Sequence, residues 1–394
     1  MKRYEEMSES GIFKEPVHPH YPDGGIQMAK YRVAIIGTGR MGGLIEDELA
    51  SNQFFSPYGH YPAYQAIGET EVVAIANRSQ QRLTRFSERF GCDNTYLDYR
   101  AMIEREKPDI VSITTPSLAR AEAIIFAAEH GVKGIYAEKG LCASLAEADR
   151  ITAAIKANDV AFNWGAMRRH NDGFKKMRDA LADGVIGQLR YAQMYSYTDL
   201  IKHHPHTLDL VAMLLGDPTP QWVEGRLVQP GDALAANATQ RPRAYPPYDA
   251  DRHAFVPPSG EEIADPMVDF FRVGYEGGAE GHFLPMSGLF DVEVYGSEGR
   301  AYAWDNGETI RIRRNNRGES AIDEKTIRPQ GDSPTVCTIR DIIRQLETGE
   351  RTAGNIDITM QSVEVQFGLA HSHLQDGTRV ELPVADRSLY IPGG

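Results

Sequence analysis

The stretch KHHPHTLDL, Lys202 to Leu210, carries three histidines within four residues and an aspartate three residues after the last of them. Histidine side chains bind metal ions and move protons near neutral pH, so either chemistry is open to this segment. A zinc site on a helix typically has two histidines about four residues apart and a third ligand nearby, and H-H-x-H is not that spacing. We therefore predict an acid–base or substrate-binding role for His206 and no metal site, with a structural histidine as the alternative.

The helix that contains this segment decides which side chains share a face. A helix that begins at Pro205, whose missing N–H is harmless in the first turn, carries His206 and Asp209 on one face. Leu208 and Val211 fall on the opposite face and are predicted to pack on the core. The histidine and the aspartate are then expected to face a cleft. An ion pair or a helix-surface position remains the alternative for Asp209.

A second set of chemically informative residues follows the short apolar run Tyr31–Gly37, which ends in the loop GTGRMG. Glycines in the pattern G-x-G-x-x-G allow a tight turn, close approach of the backbone to a pyrophosphate, and close packing of helix on strand. A helix is predicted to follow over Met41 to Leu49, with its free N–H groups facing the phosphates. We predict dinucleotide binding rather than a turn without a ligand, through Gly37, Gly39, Arg40, Met41 and Gly42.

The end of the second predicted strand bears on the choice between NAD and NADP. A carboxylate normally stands there to hold the ribose hydroxyls of NAD, but this strand ends Asn77-Arg78-Ser79. Arg78 is able to pair with a 2′-phosphate and Ser79 to add a hydrogen bond, whereas Asn77 is able to hold a free ribose hydroxyl. The sequence therefore predicts NAD(P) binding with a lean toward NADP, and a solvated surface role is the alternative for Arg78.

The elements that must position these residues alternate between strand and helix from Tyr31 to about residue 165. Such alternation predicts an α/β Rossmann domain with a doubly wound parallel sheet over residues 31–165, after an N-terminal extension of residues 1–30. The aromatic, Pro- and Gly-containing segment 51–64 is predicted to be an inserted loop. Further strands are predicted at 71–76, 109–114, 134–137 and 160–163, with helices at 79–90, 119–130 and from the capping box Ser144-x-x-Glu147 to about 157.

Residues 166–394 have a different pattern, with many strand-like runs and few helices between them. The pattern predicts an α+β domain with a large, mostly antiparallel, open sheet. The Pro- and Ala-rich stretch 230–266 is too long for an ordinary connection and is predicted to be a functional or interface loop. Predicted strands are 190–196, 221–228, 267–275, 281–285, 288–295, 300–304 and 309–313, and predicted helices are 171–183, 336–347 and 356–373.

Composition narrows the class of protein. The 394 residues exceed one ordinary core, and 41% hydrophobic with 25% charged residues is typical of a globular chain. A net charge of −13 argues against nucleic acid as a main partner. No apolar run approaches the about 20 residues that span a bilayer, and the N-terminus lacks the apolar centre of a signal peptide. The three scattered cysteines form no disulfide framework, so we expect a cytoplasmic protein without a membrane partner.

Further motifs fall in order along the chain: Thr114-Thr115-Pro116-Ser117, then Glu138-Lys139-Gly140, then His206-x-x-Asp209 with Leu214 and Gly216. GxIGxLR at 184–190 and YGSEG at 295–299 follow the same order. With the glycine loop, the chain resembles the glucose–fructose oxidoreductase/inositol dehydrogenase/MocA family from about Tyr31 to its C-terminus. The resemblance is specific for family and fold, while the family acts on many sugars and related compounds.

The resemblance implies roles for individual residues. It places Lys139 between substrate and nicotinamide and assigns acid–base work to His206. It implies substrate contacts for Asp209, Lys202, Arg168 and His203, and further cofactor contacts for Thr115, Pro116, Glu138, Lys139, Asn163 and Arg168. The chain departs from the family at two positions. Gly140 replaces the proline of E-K-P, and Lys202 stands where many members carry an aspartate four residues before the histidine.

The function implied by the resemblance is NAD(P)-dependent hydride transfer between a sugar, sugar acid or polyol and the nicotinamide. The basic residues near the predicted cleft make an anionic substrate an open possibility, with pairing to local carboxylates as the alternative. Glycoside cleavage with tightly bound, recycled NAD and a catalytically inactive regulatory protein are the alternative functions. The family pattern also implies that an open sheet face pairs in a homodimer or homotetramer.

Overall fold

The computed structural model describes residues 31–49, 56–228, 248–249, 254–255, 265–286, 290–315, 322–327, 330–391 and 393. The predicted extension 1–30 and most of the predicted loop 230–266 lie outside the described residues. Among the helices that the structure describes, none is both long and apolar enough to cross a membrane.

The first domain contains a six-stranded parallel sheet in the order β3-β2-β1-β4-β5-β6. β4, β5 and β6 are buried along their whole length, as expected for a parallel sheet covered on both faces. The strand order reverses between β1 and β4, and ligands of such sheets bind in the crevice at that point. The strands are β1 (Tyr31–Ile36), β2 (Thr70–Ala76), β3 (Thr95–Tyr96), β4 (Ile110–Ile113), β5 (Gly134–Ala137) and β6 (Ala161–Trp164).

Local sequence explains where most helices of this domain begin. The Ser79 hydroxyl accepts a hydrogen bond from the Arg82 N–H at the start of α2, and Ser144 does the same for Glu147 in α5. The Glu147 carboxylate accepts from the Ala143 N–H, one residue before the position of a standard capping box. The helices are α1 (His60–Gln65), α2 (Gln80–Phe90), α3 (Tyr99–Glu106), α4 (Ser117–Glu129) and α5 (Leu145–Ala157).

Two predictions for the segment after the glycine loop are wrong. The predicted helix over Met41–Leu49 is a short 3₁₀ helix, Leu44–Asp47, and the predicted loop 51–64 contains helix α1 in its described part. The chain returns to the glycine loop, where the N–H groups of His60 and Tyr61 donate to the carbonyls of Met41 and Gly42. Tertiary contact with the loop, rather than local periodicity, therefore decides the structure of this segment.

The second domain is built on a nine-stranded sheet in the order β16-β15-β14-β13-β7-β12-β11-β8-β17. All neighbours are antiparallel except β7 and β12, which confirms the predicted mostly antiparallel sheet. Its strands are β7 (Leu189–Tyr195), β8 (Pro220–Leu227), β11 (Val268–Tyr275), β12 (Glu280–Leu284), β13 (Asp291–Gly296), β14 (Gly299–Trp304), β15 (Thr309–Asn315), β16 (Ile322–Ile327) and β17 (Val380–Glu381). A separate two-stranded ribbon pairs β9 (Tyr248–Asp249) with β10 (Ala254–Phe255).

Four helices complete the described part of this region: α6 (Asp172–Ala182), α7 (His204–Leu214), α8 (Pro334–Thr348) and α9 (Ile356–Leu374). α9 packs on β8 and on α7, so it covers one face of the large sheet. α8 packs instead on β5 and β6, and Ile339 and Ile342 belong to the same buried cluster as Ile35 of β1. A helix from the range predicted as the second domain thus completes the core of the first.

Candidate functional site

The glycine loop after β1 has the shape that a phosphate requires. Gly37 adopts φ +105°, and a Cβ at this residue would lie 2.6 Å from the Thr114 hydroxyl oxygen. A Cβ at Gly42 would lie 2.5 Å from the carbonyl oxygen of Gly37. Around the corresponding position of Gly39, the described residues place no atom within 4 Å. Two glycines therefore close the turn, and the third borders open space where a dinucleotide pyrophosphate fits.

The end of β2 presents one cation and no carboxylate at positions 77–79. The Asn77 side-chain amide donates to the Thr38 hydroxyl at 2.9 Å and accepts from the Ser79 N–H at 2.9 Å. An amide has two donors and two lone pairs, so capacity remains for a ribose hydroxyl. Arg78 is exposed there.

Arg40 of the glycine loop forms an ion pair with Glu48 at 2.5 Å on the surface. Surface pairs of this type contribute about 0–1 kcal/mol, so a phosphate is able to displace this one at little cost.

The Thr115-Pro116 turn after β4 and the Lys139-Gly140 turn after β5 are tied together by one buried arginine. The Arg120 guanidinium donates to the carbonyl oxygens of Thr115 and Gly140. Burial lowers the pKa of Arg120 to about 10, and the charge of Glu138 opposes that effect. The Thr115 hydroxyl is buried, and it has no hydrogen-bond partner within the described part of the chain. A cofactor or substrate group beside this turn would satisfy it.

Gly140 has a packing reason for replacing the proline of the family motif. A Cβ at Gly140 would lie 2.5 Å from the carbonyl oxygen of Ile201, in the segment that leads into α7. The Lys139–Gly140 peptide bond is cis. Burial lowers the pKa of the Lys139 ammonium, with the charges of Arg120, Lys202 and Arg168 acting in the same direction and Glu138 opposing. These couplings place Lys139 among cations from three other segments.

His206 lies in the first turns of α7 and is 5% exposed. Burial holds its pKa well below the ordinary value, and the nearby charges of Arg168, Lys139 and His203 lower it further. Its Nδ1 is buried without a hydrogen-bond partner among the described residues. The imidazole is therefore a free base at neutral pH, and its Nδ1 has unused hydrogen-bonding capacity.

Arg168 lies in the 3₁₀ helix Met167–His170, which follows β6. Arg168 and His206 both pack against the ring of Phe290. Its guanidinium carbon lies 3.3 Å from the centroid of the Phe290 ring, and His206 meets the same ring edge-on at 5.7 Å. The Arg168 Nε donates to the Asn306 side-chain oxygen at 2.8 Å, and the Tyr58 hydroxyl is a second partner. Its Nη1 is buried with no partner in the part of the chain that the structure describes.

Two predicted site residues, Asp209 and Asn163, form buried contacts with other side chains of the protein. The predicted cleft position of Asp209 is wrong, because α7 is buried all round and Asp209 forms an ion pair with Arg169 at 2.8 Å. Asn163, predicted to contact the cofactor, is 0% exposed, and its amide donates to Asp341 at 3.0 Å and to the Thr338 carbonyl. Parallel-strand packing against α8 explains that position, so neither residue is free to contact a ligand directly.

Lys202 and His203, which precede α7, are more exposed than His206. Lys202 is exposed, and its backbone N–H donates to the Asp265 carboxylate at 2.8 Å. His203 is partly exposed and its Nδ1 lies 2.9 Å from a carboxylate oxygen of Asp199. Within the described residues there is no group of three or more His, Cys, Asp or Glu side chains arranged to hold a metal ion.

Several residues at the site were missed by sequence analysis. From the sequence, Arg120 counts only among the basic residues near the predicted cleft, and Tyr58, His60 and Phe290 carry no prediction of a role. Tyr58 and His60 lie in the segment predicted to be a loop. The available signal for Arg120 was an arginine among the mostly apolar residues of a predicted helix. Such a helix is expected to be buried, and a buried charge needs a partner because its uncompensated burial is costly.

Comparisons with known proteins agree with this architecture. Residues 31–165 match the family model described as an oxidoreductase family with an NAD-binding Rossmann fold, GFO_IDH_MocA. Myo-inositol 2-dehydrogenase of Thermotoga maritima is 24% identical over 311 residues, which cover 73% of this chain and 79% of that protein. Residues 31–165 therefore match the Gfo/Idh/MocA oxidoreductase family.

Two solved structures show the same fold with different cofactors bound. A 3-ketoreductase from Actinomadura kijaniata, in complex with TDP-benzene and NADP, has a TM-score of 0.62 at 18% identity, covering 87% of this chain and 97% of its own. Levoglucosan dehydrogenase, in complex with NADH and levoglucosan, has a TM-score of 0.70 at 16% identity, covering 90% and 99%. At this level of identity the likeness concerns the fold, and NAD(P) is the cofactor class of the family.

Proposed function

We propose that the protein is an NAD(P)-dependent dehydrogenase or reductase that acts on the CH–OH group of a sugar, sugar acid or polyol. The observation that carries the proposal is the buried His206, whose pKa is lowered by burial and by the nearby charges of Arg168 and Lys139, together with the glycine loop after β1. The bound nicotinamide would supply the hydride acceptor or donor. The remaining chemistry is a proton transfer and the stabilisation of charge on one substrate oxygen.

His206 and Lys139 have complementary roles in that chemistry. When the substrate alcohol is oxidised, its hydroxyl proton must leave as the C–H bond breaks and the carbonyl forms. The free-base His206 accepts this proton through a ring nitrogen. The Lys139 ammonium donates a hydrogen bond to the same oxygen and stabilises its developing negative charge. In the reductive direction the same groups return the proton.

We further propose that the substrate carries an anionic group. The buried Arg168 guanidinium contacts an amide oxygen, a hydroxyl and a ring among the described residues, and none of these is an anion. Its neighbour Arg169, by contrast, is neutralised by Asp209 and Asp217 at 2.8 Å each. A buried charge without a counterion is costly unless a ligand supplies one. A carboxylate or phosphate on the substrate fits this requirement.

The proposed cofactor preference is NADP. Arg78 is the charged side chain at positions 77–79, and an NAD enzyme normally has a carboxylate there.

The compartment that we propose is the cytoplasm. The free cysteines Cys92, Cys142 and Cys337 suit its reducing conditions.

The large sheet offers a surface for the proposed homodimer or homotetramer. On the face away from α9, the rings of Tyr191 and Tyr295 stack at 4.5 Å, and Tyr191 also stacks on His282 at 5.5 Å. These rings are only partly buried within one chain. Light scattering on the wild type and on Tyr191→Glu tests this surface. A monomeric wild type would refute the proposal.

The test of the proposed activity follows reduced cofactor and product together. The stripped protein is offered neutral sugars, sugar acids and glycosides with NAD and with NADP. Accumulation of reduced cofactor with an acid substrate, lost in His206→Ala without loss of cofactor binding, is the expected result. Glycoside cleavage without accumulation would mean that the nicotinamide is recycled. No turnover with any carbohydrate would favour a regulatory protein.

A further inference from the structure

A buried hydrogen-bonded chain lies directly behind Lys139. His60, the first residue of α1, is 0% exposed and connects two strands of the Rossmann sheet. Its Nδ1 lies 2.5 Å from the Ser112 hydroxyl oxygen of β4, and its Nε2 lies 3.2 Å from a carboxylate oxygen of Glu138, just after β5. The imidazole also stacks on Tyr136, with ring centroids 4.0 Å apart.

Glu138 joins this chain to the backbone of Lys139. Its second carboxylate oxygen accepts a hydrogen bond from the Lys139 N–H at 3.2 Å. A Cβ at Gly165 would lie 2.9 Å from the carboxyl carbon and both oxygens, so a glycine at that position leaves room for the group. Burial raises the pKa of Glu138, but the hydrogen bond from His60 and the charges of Lys139 and Arg120 outweigh it, and the net pKa is lowered. Glu138 is therefore ionised at neutral pH.

The ionised Glu138 determines the hydrogen-bonding role of the His60 Nε2. A carboxylate only accepts hydrogen bonds, so the His60 Nε2 must carry a hydrogen. A neutral imidazole then has its lone pair on Nδ1, where it accepts from the Ser112 hydroxyl. Both ring nitrogens are thus used, and the ring has no contact with solvent. A group so enclosed is suited to holding its neighbour in place.

We infer that His60 is a positioning residue for Lys139: the chain Ser112–His60–Glu138 fixes the Glu138 carboxylate behind the lysine backbone and so sets the orientation and charge of the lysine. The inference rests on the proposed role of Lys139 in catalysis. The inference also gives helix α1 a function, because the contact of α1 with the glycine loop positions His60 beside Glu138. Glu138 then acts behind the lysine rather than on the cofactor.

The first measurement is the titration of Lys139 in the cofactor-free protein. Competitive labelling with acetic anhydride at a series of pH values, read by peptide mass spectrometry, reports Lys139 and the exposed Lys202 in one experiment. His60→Phe keeps a ring on Tyr136 but removes both hydrogen-bonding atoms. We expect its Lys139 midpoint to move to lower pH, because a carboxylate that has lost its donor is no longer held beside the lysine and stabilises the ammonium less. The midpoint of Lys202 should not move.

The second measurement is activity with the substrate found for the wild type. In His60→Phe, kcat/KM should fall roughly tenfold to a hundredfold, the size of a lost hydrogen bond to a charged group, while the Kd of the nucleotide stays unchanged. The alkaline limb of the pH profile should shift in the same direction as the labelling midpoint. His60→Gln retains an N–H able to reach Glu138 and should restore much of both properties.

The outcomes of these two measurements distinguish a failure of this inference from a failure of the proposed function. If the wild type is active and a folded His60→Phe keeps its kcat/KM and its Lys139 midpoint, the inference is wrong. If no substrate reacts but the labelling midpoint shifts as expected, the proposed function fails and the coupling of His60 to Lys139 stands. Should His60→Phe not fold, His60→Asn, which reaches Ser112 but not Glu138, takes its place with the same two expected results.

Discussion

Replacing Arg168 by methionine should change substrate preference without unfolding the protein. The guanidinium is 6% exposed, and burial lowers its pKa to about 10, because the hydrogen bond with Tyr58 compensates only part of the lost hydration. Methionine keeps the volume beside Phe290 and removes that cost. A hydrogen bond from this cation to a substrate anion is worth about 1.5–3 kcal/mol, which corresponds to roughly 10- to 150-fold in kcat/KM.

The assay compares kcat/KM for a sugar acid and for its neutral parent in wild type, Arg168→Met and the matched variant Arg169→Met. Arg168→Met should lose the acid preference, keep its rate on the neutral sugar and melt at a temperature no lower than that of the wild type. Arg169→Met should instead lose about 3–5 kcal/mol of unfolding free energy, because it leaves the buried Asp209 and its partner Asp217 without a cation. Equal losses of Arg168→Met on both substrates would refute the reasoning.

Three other predictions concern the cofactor and pH. Arg78→Ala should weaken NADP binding by about 1–3 kcal/mol and leave NAD binding unchanged, as measured by titration calorimetry; equal effects on both would contradict a phosphate contact. Gly39→Val should abolish nucleotide binding without changing the melting temperature, because its side chain would fill the open space of the loop, and Gly68→Val, which also meets no described atom within 4 Å, is the control. Burial raises the pKa of Asp265 to about 7, so the native state holds a proton that the unfolded chain has already released. Its contribution to stability is present below pH 4 and is lost as pH rises to about 7, and denaturant titrations of Asp265→Asn should show a flatter pH dependence across that window.

Sequence patterns predicted the parallel sheet and its nucleotide loop because those features depend on local residue types. The strand β5 is found at Gly134–Ala137 as predicted, and the glycine spacing coincides with the turn that requires it. The predicted antiparallel sheet is also confirmed, although both of its edge strands, Ile322–Ile327 and Val380–Glu381, were missed. The first of them pairs with β15. That strand, IDEKTI, has mostly charged and polar residues, and its pairing with β15 rather than its own apolar pattern keeps it extended.

The candidate site was less predictable because its residues meet through distant contacts. Helical spacing placed His206 and Asp209 on one face, yet Asp209 is directed to Arg169, which lies 40 positions earlier in the chain. His60 and Phe290 belong to segments without a clear periodic signal. No local pattern indicates that the first completes a chain to Glu138 or that the second stacks on Arg168.

The sequence by itself determined the class of protein: a Rossmann domain with a dinucleotide loop, a second domain with an open sheet, and a lysine and a histidine in the order of one oxidoreductase family. Those properties depend on local residue patterns that favour a turn, a strand or a helix, and a single segment of the chain contains each such pattern. Only the tertiary structure decided which charges are neutralised. Arg168 and Arg169 are adjacent and identical in type, and packing gives two carboxylates to one and an aromatic ring to the other. The energy of a buried charge depends on what surrounds it, and that is a property of the folded chain.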